Sequence, residues 1–212
     1  MTTPQAAADG YNQQFPERPP LAATDEWVTG TWCIGACYKN PNPLYGAYPH
    51  GYLERVHSMF PGACNILHVF SGGLTHVNAS KAAGFFGADY VFPVVGTSME
   101  LVDMHGPEQG RHPTWQGDLH DMPEEWNGRF DLILADPPYS AEDAKQYDCP
   151  APNRGKIMRT LRRVAQPGAD LVWLDQVWPM HRKDMWQTWG HIGLVRSTNH
   201  RMRLVSIFRA VC

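Results

Sequence analysis

A short apolar run that stops at two consecutive prolines constrains the fold of this chain more than any other feature. Residues 130–135 read Phe-Asp-Leu-Ile-Leu-Ala, and Asp136, Pro137, Pro138 and Tyr139 follow them. An apolar run of this length that ends at a turn signal is typical of a strand. Proline has no N–H to donate to a strand ladder, so the strand ends there. The pattern predicts a short strand that carries Asp136, Pro137, Pro138 and Tyr139 at its carboxyl end.

The residues after this strand can hold a flat ring that carries an amino group. The Asp136 carboxylate accepts a hydrogen bond from an exocyclic amine, and Pro137 leaves its carbonyl free as a second acceptor. Tyr139 offers an aromatic face for stacking. These groups favour methylation of an amino nitrogen on a nucleobase that has been swung out of its stack. The alternative is a plain proline turn.

The sequence from Asp136 to Tyr139 resembles the catalytic motif of the S-adenosylmethionine-dependent amino-methyltransferases that act on adenine N6 or cytosine N4 in DNA. The resemblance implies S-adenosylmethionine as cofactor, and Asp in the first position implies adenine as target. It also implies a Rossmann-like class I methyltransferase fold, an α/β domain with a mostly parallel seven-stranded sheet that ends in a β-hairpin. No metal is expected, because the sulfonium charge already activates the methyl group. The implied catalytic residues are Asp136, Pro137, Pro138 and Tyr139.

A glycine pair after an earlier strand resembles the cofactor loop of the same family. The segment 66–73 reads Ile-Leu-His-Val-Phe-Ser-Gly-Gly, and in the family a strand ends in Phe before a small turn with glycine. Without a Cβ, the backbone can lie against a bound methionine and ribose. His68 stands where an acid is frequent, and Leu74 stands where a glycine is usual. The resemblance implies five cofactor-binding residues: His68, Phe70, Ser71, Gly72 and Gly73.

Two acidic residues follow in the order that this fold uses for its cofactor. Asp103 lies at the end of a predicted strand, where its carboxylate can accept hydrogen bonds from both ribose hydroxyls. Gly117, Asp118 and Leu119 resemble the next family motif, in which an acid and a following backbone N–H meet the adenine ring. Asp103, Asp118 and Leu119 are therefore predicted cofactor residues. The alternative for Asp118 is a turn cap.

Length and composition favour a single domain that needs neither disulfides nor metal. The chain has 212 residues, 43% of them hydrophobic, and its five cysteines are scattered and odd in number. It has no apolar run of roughly 18 residues and no basic amino-terminal segment followed by a hydrophobic stretch. We therefore expect no membrane attachment and a cytoplasmic location.

Charge is divided unevenly along the chain. Residues 1–152 carry seven basic and eighteen acidic side chains, a balance of −11, whereas residues 153–212 carry eleven basic and three acidic ones, a balance of +8. The last third is the candidate surface for a polyanion. We predict DNA as the partner, with RNA and an ordinary solvated surface as alternatives. Arg196, Arg201 and Arg203 are the expected substrate-binding residues.

Turn-forming residues and the periodicity of apolar residues divide the chain into a flexible arm at 1–25 and a methyltransferase domain at 26–212. Segment 26–50 is predicted to be rich in loops, and 74–97 gives no clear pattern. Helices are predicted at 50–60, after Ser140, at 154–165 and around Met185 and Trp189. Strands are predicted at 65–70, 99–104, 130–135, 170–174, 192–197 and 202–211, the last two forming the hairpin.

The chain shows no long insertion after Tyr139 that would form a separate target-recognition domain. The target is then recognised through a short sequence or through its shape, or selectivity is supplied by a partner or by a second copy of the chain, as in a homodimer. Similar motifs occur in ribosomal RNA guanine N2-methyltransferases and in protein glutamine methyltransferases, the latter usually with Asn in place of Asp136. A non-catalytic adaptor that binds the cofactor is the alternative outside the enzymes.

Overall fold

The structure is a computed structural model that describes residues 1–34, 48–49, 51–72, 74, 98–107, 113–196 and 201–212. Within these residues it has nine strands in one sheet and four α-helices. The strands are β1 Ala22–Ala23, β2 Val28–Ile34, β3 Asn65–Val69, β4 Ser98–Asp103, β5 Trp115–Gln116, β6 Phe130–Ala135, β7 Ala165–Asp175, β8 Trp186–Arg196 and β9 Met202–Ala210. The helices are α1 Pro4–Gln14, α2 Tyr52–Met59, α3 Ala141–Gln146 and α4 Arg154–Val164.

The sheet is mostly parallel, as predicted, and its order is β1-β2-β8-β9-β7-β6-β3-β4-β5. β3 to β7 pair in parallel, and β2 pairs in parallel with β8. β9 lies antiparallel between β7 and β8. The carboxyl ends of the parallel strands and the amino end of β9 therefore meet at one edge of the sheet, called here the carboxyl edge.

The strand that supplies the motif is buried on both faces. Side chains alternate between the faces of a strand. On β6, Leu132 and Leu134 join the apolar cluster under α1 and α2, whereas Ile133 and Ala135 join the cluster under α4. This two-sided burial explains the apolar run in the sequence, and it fixes the position of the residues that follow.

The described sheet has nine strands rather than the predicted seven, because β1 and β2 extend one end. β2 pairs with β8 from Val28 to Ile34, so the prediction of loops in this part of 26–50 is wrong. Its buried residues alternate with exposed Thr29, Thr31 and Cys33. Glycine and threonine among the apolar residues conceal this strand in the sequence.

The predicted flexible arm contains a packed helix and is a wrong prediction. Thr3 caps α1 by accepting a hydrogen bond from the backbone N–H of Ala6 over 3.1 Å. Ala7 and Tyr11 are buried, and the ring of Tyr11 lies 5.7 Å from that of Trp32. Alanines supply much of the buried face, so the apolar pattern of the segment is weak, and contact with β2 stabilises it.

Of the predicted later helices, two are confirmed and one is wrong. Asn153 caps α4 and Ser140 caps α3, each accepting a backbone N–H over 3.0 Å. The helix expected around Met185 and Trp189 is replaced by β8, which begins at Trp186 and pairs with β9 along its length. Within β8, the indole of Trp189 donates to the buried carboxylate of Asp170 in β7 over 3.1 Å.

The two strands of the predicted hairpin are confirmed, since β8 and β9 pair from Trp186 opposite Ala210 to Val195 opposite Met202. Several predictions concern residues outside the described part of the chain. They include the loops expected at 35–47, the role of Gly73 in the cofactor loop and most of the hairpin turn at 198–201. Segment 75–97, for which the sequence gives no clear pattern, also lies outside it.

Candidate active site

Asp136 and Tyr139 are bonded to each other at the carboxyl edge. The phenol Oη of Tyr139 donates to Oδ1 of Asp136 over 2.5 Å. Both residues are half-buried, and Pro137 and Pro138 between them are buried. β6 ends at Ala135, so the motif lies directly at the rim of the sheet. The predicted catalytic residues therefore lie together, joined by a hydrogen bond that the sequence does not predict.

The Asp136 carboxyl lies near the boundary between its neutral and ionised forms. Removal from water raises its pKa to about 7, and the charge of Asp175 acts in the same direction. The hydrogen bond from Tyr139 and the charge of Arg203 oppose this rise. Burial raises the pKa of Tyr139 well above its ordinary value, so the phenol keeps the proton that it donates.

Arg203 covers one face of the Tyr139 ring. Its guanidinium carbon lies 4.5 Å from the ring centroid, within cation–π range. Arg203 reaches this position because β9 begins at the carboxyl edge. The structure places it half-buried beside the motif rather than on an outer surface, and its role in binding substrate stays a prediction.

A buried ion pair holds the backbone of the motif. Nε and Nη2 of Arg154 donate to the two carboxylate oxygens of Asp175 over 2.7 and 3.0 Å. The same Nη2 donates to the carbonyl of Tyr139 over 2.9 Å. Asp175 is fully buried and also accepts from the indole of Trp173 over 3.1 Å. This set of bonds fixes where the Tyr139 backbone lies.

Sequence reasoning misses this pair, although part of a signal exists. Asp175 directly follows an apolar strand, as Asp136 does, and ligands of open α/β sheets lie at such strand ends. Arg154 carries no comparable signal. It begins a predicted helix in the basic last third of the chain, and only the tertiary structure pairs it with Asp175.

The Asp103 side chain holds the predicted cofactor turn. Its Oδ2 accepts from the N–H of Gly72 over 2.8 Å, and its Oδ1 accepts from the N–H of His105 over 3.0 Å. The N–H of Ser71 donates to a backbone carbonyl of β4. Phe70 and Gly72 have positive φ angles of 60° and 57°. For Phe70 this conformation is strained, and such strain is concentrated at functional sites.

The remaining predicted cofactor residues have other surroundings, and their roles stay predictions. His68 is fully buried within β3, where burial lowers its pKa to about 3 and keeps the ring neutral. Asp118 is exposed and caps a turn by accepting from the N–H of His120 over 2.9 Å, the alternative that the sequence leaves open. Leu119 packs into the cluster under α4.

An open cleft of about 600 Å³ borders the motif on the side of the hairpin. Ser140 and Met202 line it, and they are the chain neighbours of Tyr139 and Arg203. Such a volume suits a small ligand. Of the other predicted arginines, Arg201 lines the cleft, and Arg196 donates its backbone N–H to the Arg201 carbonyl over 3.3 Å. The full lining is Ser140, Glu142, Asp143, Gln176, Arg201 and Met202.

Two further observations concern the described residues only. None of their helices combines the length and the apolar character that a membrane crossing requires. They also include no group of three or more His, Cys, Asp and Glu side chains placed to hold a metal ion.

Three solved structures are similar to this chain. TrmN from Thermus thermophilus is similar over 78% of this chain and 50% of its own, with 12% identity and a TM-score of 0.51. The N-methyltransferase NodS from Bradyrhizobium japonicum WM9 is similar over 77% of this chain and 94% of its own, with 15% identity and a TM-score of 0.47. The 1,6-didemethyltoxoflavin-N1-methyltransferase of Burkholderia thailandensis, solved with S-adenosylhomocysteine, is similar over 76% of each chain, with 11% identity and a TM-score of 0.47.

At 12% identity the similarity to TrmN, whose TM-score is above 0.5, shows the fold alone, and it confirms the predicted Rossmann-like class I methyltransferase fold. The chain spans about half the length of the Thermus protein. A scan against protein-family models and a search of curated proteins found no match. Membership of the DNA amino-methyltransferases therefore stays a prediction that rests on the motif.

Proposed function

We propose that this chain is an S-adenosylmethionine-dependent methyltransferase that acts on an exocyclic amine of a nucleobase, adenine N6 in DNA. The Asp136 carboxylate, held by Tyr139 at the same sheet edge as the Gly72 turn, carries the proposal. An acceptor for amine hydrogens then lies where open α/β sheets bind their ligands. The choice of adenine and DNA rests on the motif resemblance.

The residues of the turn fit the proposed cofactor. Ser71 is buried, and its hydroxyl has no hydrogen-bond partner among the residues that the structure describes. An unpartnered buried hydroxyl is unfavourable by about 1–3 kcal/mol, so a polar ligand group there would stabilise the site. Gly72 allows close approach of a ligand, and Asp103 can accept from ribose hydroxyls. When bound, S-adenosylmethionine supplies a methyl group that its positive sulfur activates.

The groups of the chain act on the amine. The amine lone pair is delocalised into the ring, and acceptance of the two amine hydrogens by Asp136 and the Pro137 carbonyl would localise it on nitrogen. Tyr139 orients the carboxylate through its hydrogen bond and is the proposed stacking partner of the ring. The methylated nitrogen must lose a proton, and an Asp136 pKa of about 7 suits that carboxylate to accept it.

DNA is the proposed partner because the last third of the chain carries a balance of +8. Arg201 at the cleft beside the motif is part of that third. RNA would meet the same charges, so the acceptor has to be identified directly. We also propose a cytoplasmic location and a homodimer that supplies selectivity.

Transfer of a labelled methyl group tests the proposal. The protein is incubated with labelled S-adenosylmethionine and with DNA, RNA or protein, and modified nucleosides and amino acids are then identified. N6-methyladenine in DNA is expected. N2-methylguanine in RNA or methylglutamine in protein would replace the proposed acceptor, and cofactor binding without transfer to any acceptor would support the adaptor.

Calorimetry separates the cofactor from the chemistry. The wild-type protein should bind S-adenosylmethionine and S-adenosylhomocysteine, and Asp103→Ala should weaken both by about 1.5–3 kcal/mol. Asp136→Ala is the matched control, since it should lose transfer while keeping this affinity. Absence of heat and of a thermal shift with both compounds would contradict the proposed cofactor.

A further inference from the structure

Two buried tyrosine hydroxyls near the motif have no hydrogen-bond partner among the described residues. Tyr52 begins α2, and Tyr48 lies four residues before it, with the two rings stacked at 5.2 Å and 17°. Neither hydroxyl makes a hydrogen bond within the described part of the chain. A buried hydroxyl without a partner is unfavourable by about 1–3 kcal/mol. Two such groups on neighbouring stacked rings point to a ligand that completes them.

These hydroxyls belong to the surroundings of Asp136. After burial, the charge of Asp136 is the next cause that raises the pKa of both Tyr48 and Tyr52. Tyr52 also contributes to raising the pKa of Tyr139. Tyr48 packs edge-on against His68 at 6.0 Å, which places this pair over the strand beside β6. Tyr52 packs in the same apolar cluster as Leu134, two residues before Asp136, and Tyr48 packs against that cluster, so the two phenols are donors on the Asp136 side of β6.

This inference rests on the proposed function. Given that function, the chemistry of these donors indicates which atoms of the base they contact. Asp136 and the Pro137 carbonyl accept the hydrogens of the amine. Hydroxyl donors beside these acceptors therefore complement a ring nitrogen with a lone pair next to that amine. In adenine the N6 amine is flanked by two such acceptors, N1 and N7. We propose that the Tyr48 and Tyr52 hydroxyls donate to a ring nitrogen next to the reacting amine, N1 or N7 of adenine, and so help to hold the base.

Analogues that lack one ring nitrogen test this contact. Methyl transfer is measured on a DNA duplex that carries adenine, 1-deazaadenine or 7-deazaadenine at the methylated site, with wild type, Tyr48→Phe and Tyr52→Phe. On adenine at least one variant should lose about tenfold in kcat/KM, the value of one hydrogen bond of about 1.4 kcal/mol. On one of the two analogues the same variant and wild type should be equal. An equal loss on all three substrates would overturn the inference.

The buried Tyr11 in α1 is a matched control, because the charges acting on its hydroxyl come from other residues, Arg55 first. Tyr11→Phe should leave the preference among the three bases unchanged. Thermal unfolding adds a readout: Tyr48→Phe and Tyr52→Phe remove unpartnered hydroxyls and should keep or raise Tm. A lower Tm with an equal loss on every base would show a structural role instead.

Two other outcomes are distinct. A tenfold loss of S-adenosylmethionine affinity in Tyr52→Phe, with base preference unchanged, would assign the hydroxyls to the cofactor and overturn the inference. A wild-type protein that transfers methyl to no adenine would overturn the proposed function itself, and this inference with it.

Discussion

Two aspartates of the same sheet differ in how completely they are paired. Asp170 in β7 accepts from two nitrogens of Arg209 over 3.0 and 2.8 Å and from the indole of Trp189 over 3.1 Å. Asp136 at the carboxyl edge accepts a single hydrogen bond from the described residues, that of Tyr139. Burial raises the pKa of Asp170 to about 6 and that of Asp136 to about 7. Both carboxyls are removed from water, but only Asp170 is surrounded by donors.

The arginines sharpen the contrast. Arg209 lies 4.8 Å from the Trp189 ring, and Arg203 lies 4.5 Å from the Tyr139 ring, so both make cation–π contacts. Arg209 also forms an ion pair with its aspartate. Arg203 acts on Asp136 through its charge alone. A carboxylate with a complete set of partners stabilises the fold, whereas one with acceptor capacity left over can receive a ligand.

The largest expected difference between the two is in catalysis. Asp136→Ala should lower methyl transfer by about 10²–10⁴-fold, because it removes the acceptor for the amine hydrogens. Its free energy of unfolding should change little, since few native bonds are lost. Labelled transfer and urea unfolding on the same preparation check both statements. Wild-type turnover in this variant would show that the chemistry occurs elsewhere.

The reverse result is expected for the paired carboxylate. Asp170→Ala leaves the largely buried Arg209 charge uncompensated and should lower the free energy of unfolding by about 3 kcal/mol. Activity per folded molecule should be kept. The double variant Asp170→Leu with Arg209→Met should recover part of the loss, since removing both charges is less unfavourable than removing one. A single-variant loss below about 1 kcal/mol would rank this pair with ordinary surface pairs.

A smaller effect is expected in the pH profile. Asp136 must be ionised to accept a proton, so transfer should fall as pH drops through about 7. The positive charge of Arg203 lowers the pKa of Asp136, so Arg203→Met should move the profile to higher pH. Arg209→Met serves as the control and should leave the midpoint in place. If the pH profile of Arg203→Met were unshifted, the charge of Arg203 would not influence the pKa of Asp136.

The smallest effect is expected for Arg196 and Arg201, which flank residues 197–200 between β8 and β9. Neutralising Arg196 and Arg201 to Gln should weaken binding across DNA sequences and reduce the slope of log affinity against log salt by about one per lost phosphate contact. Arg182→Gln, an exposed arginine paired with Asp184, is the control. Arg203 is tested separately because it lies against Tyr139. If the double variant changed stability or sedimentation while the salt slope stayed the same, Arg196 and Arg201 would have a structural role instead.

The regular elements around the site could be predicted because their signals are local. The run before Asp136 predicts β6 through burial on two faces, and the spacing of Ile157, Leu161 and Val164 predicts α4. α1 and β2 could not be predicted in this way. Alanine, glycine and threonine give them weak apolar patterns, and their stability comes from contacts such as Tyr11 with Trp32.

The sequence by itself determined the motif residues Asp136 to Tyr139, the acid Asp103 at a strand end and the glycine turn, because each follows an apolar strand directly. The tertiary structure alone decided which distant groups meet them. Arg203 reaches Tyr139 because β9 runs antiparallel and begins at the carboxyl edge, and Arg154 finds its partner 21 residues away in Asp175. Such contacts depend on strand order and direction, which a local pattern of residues does not encode.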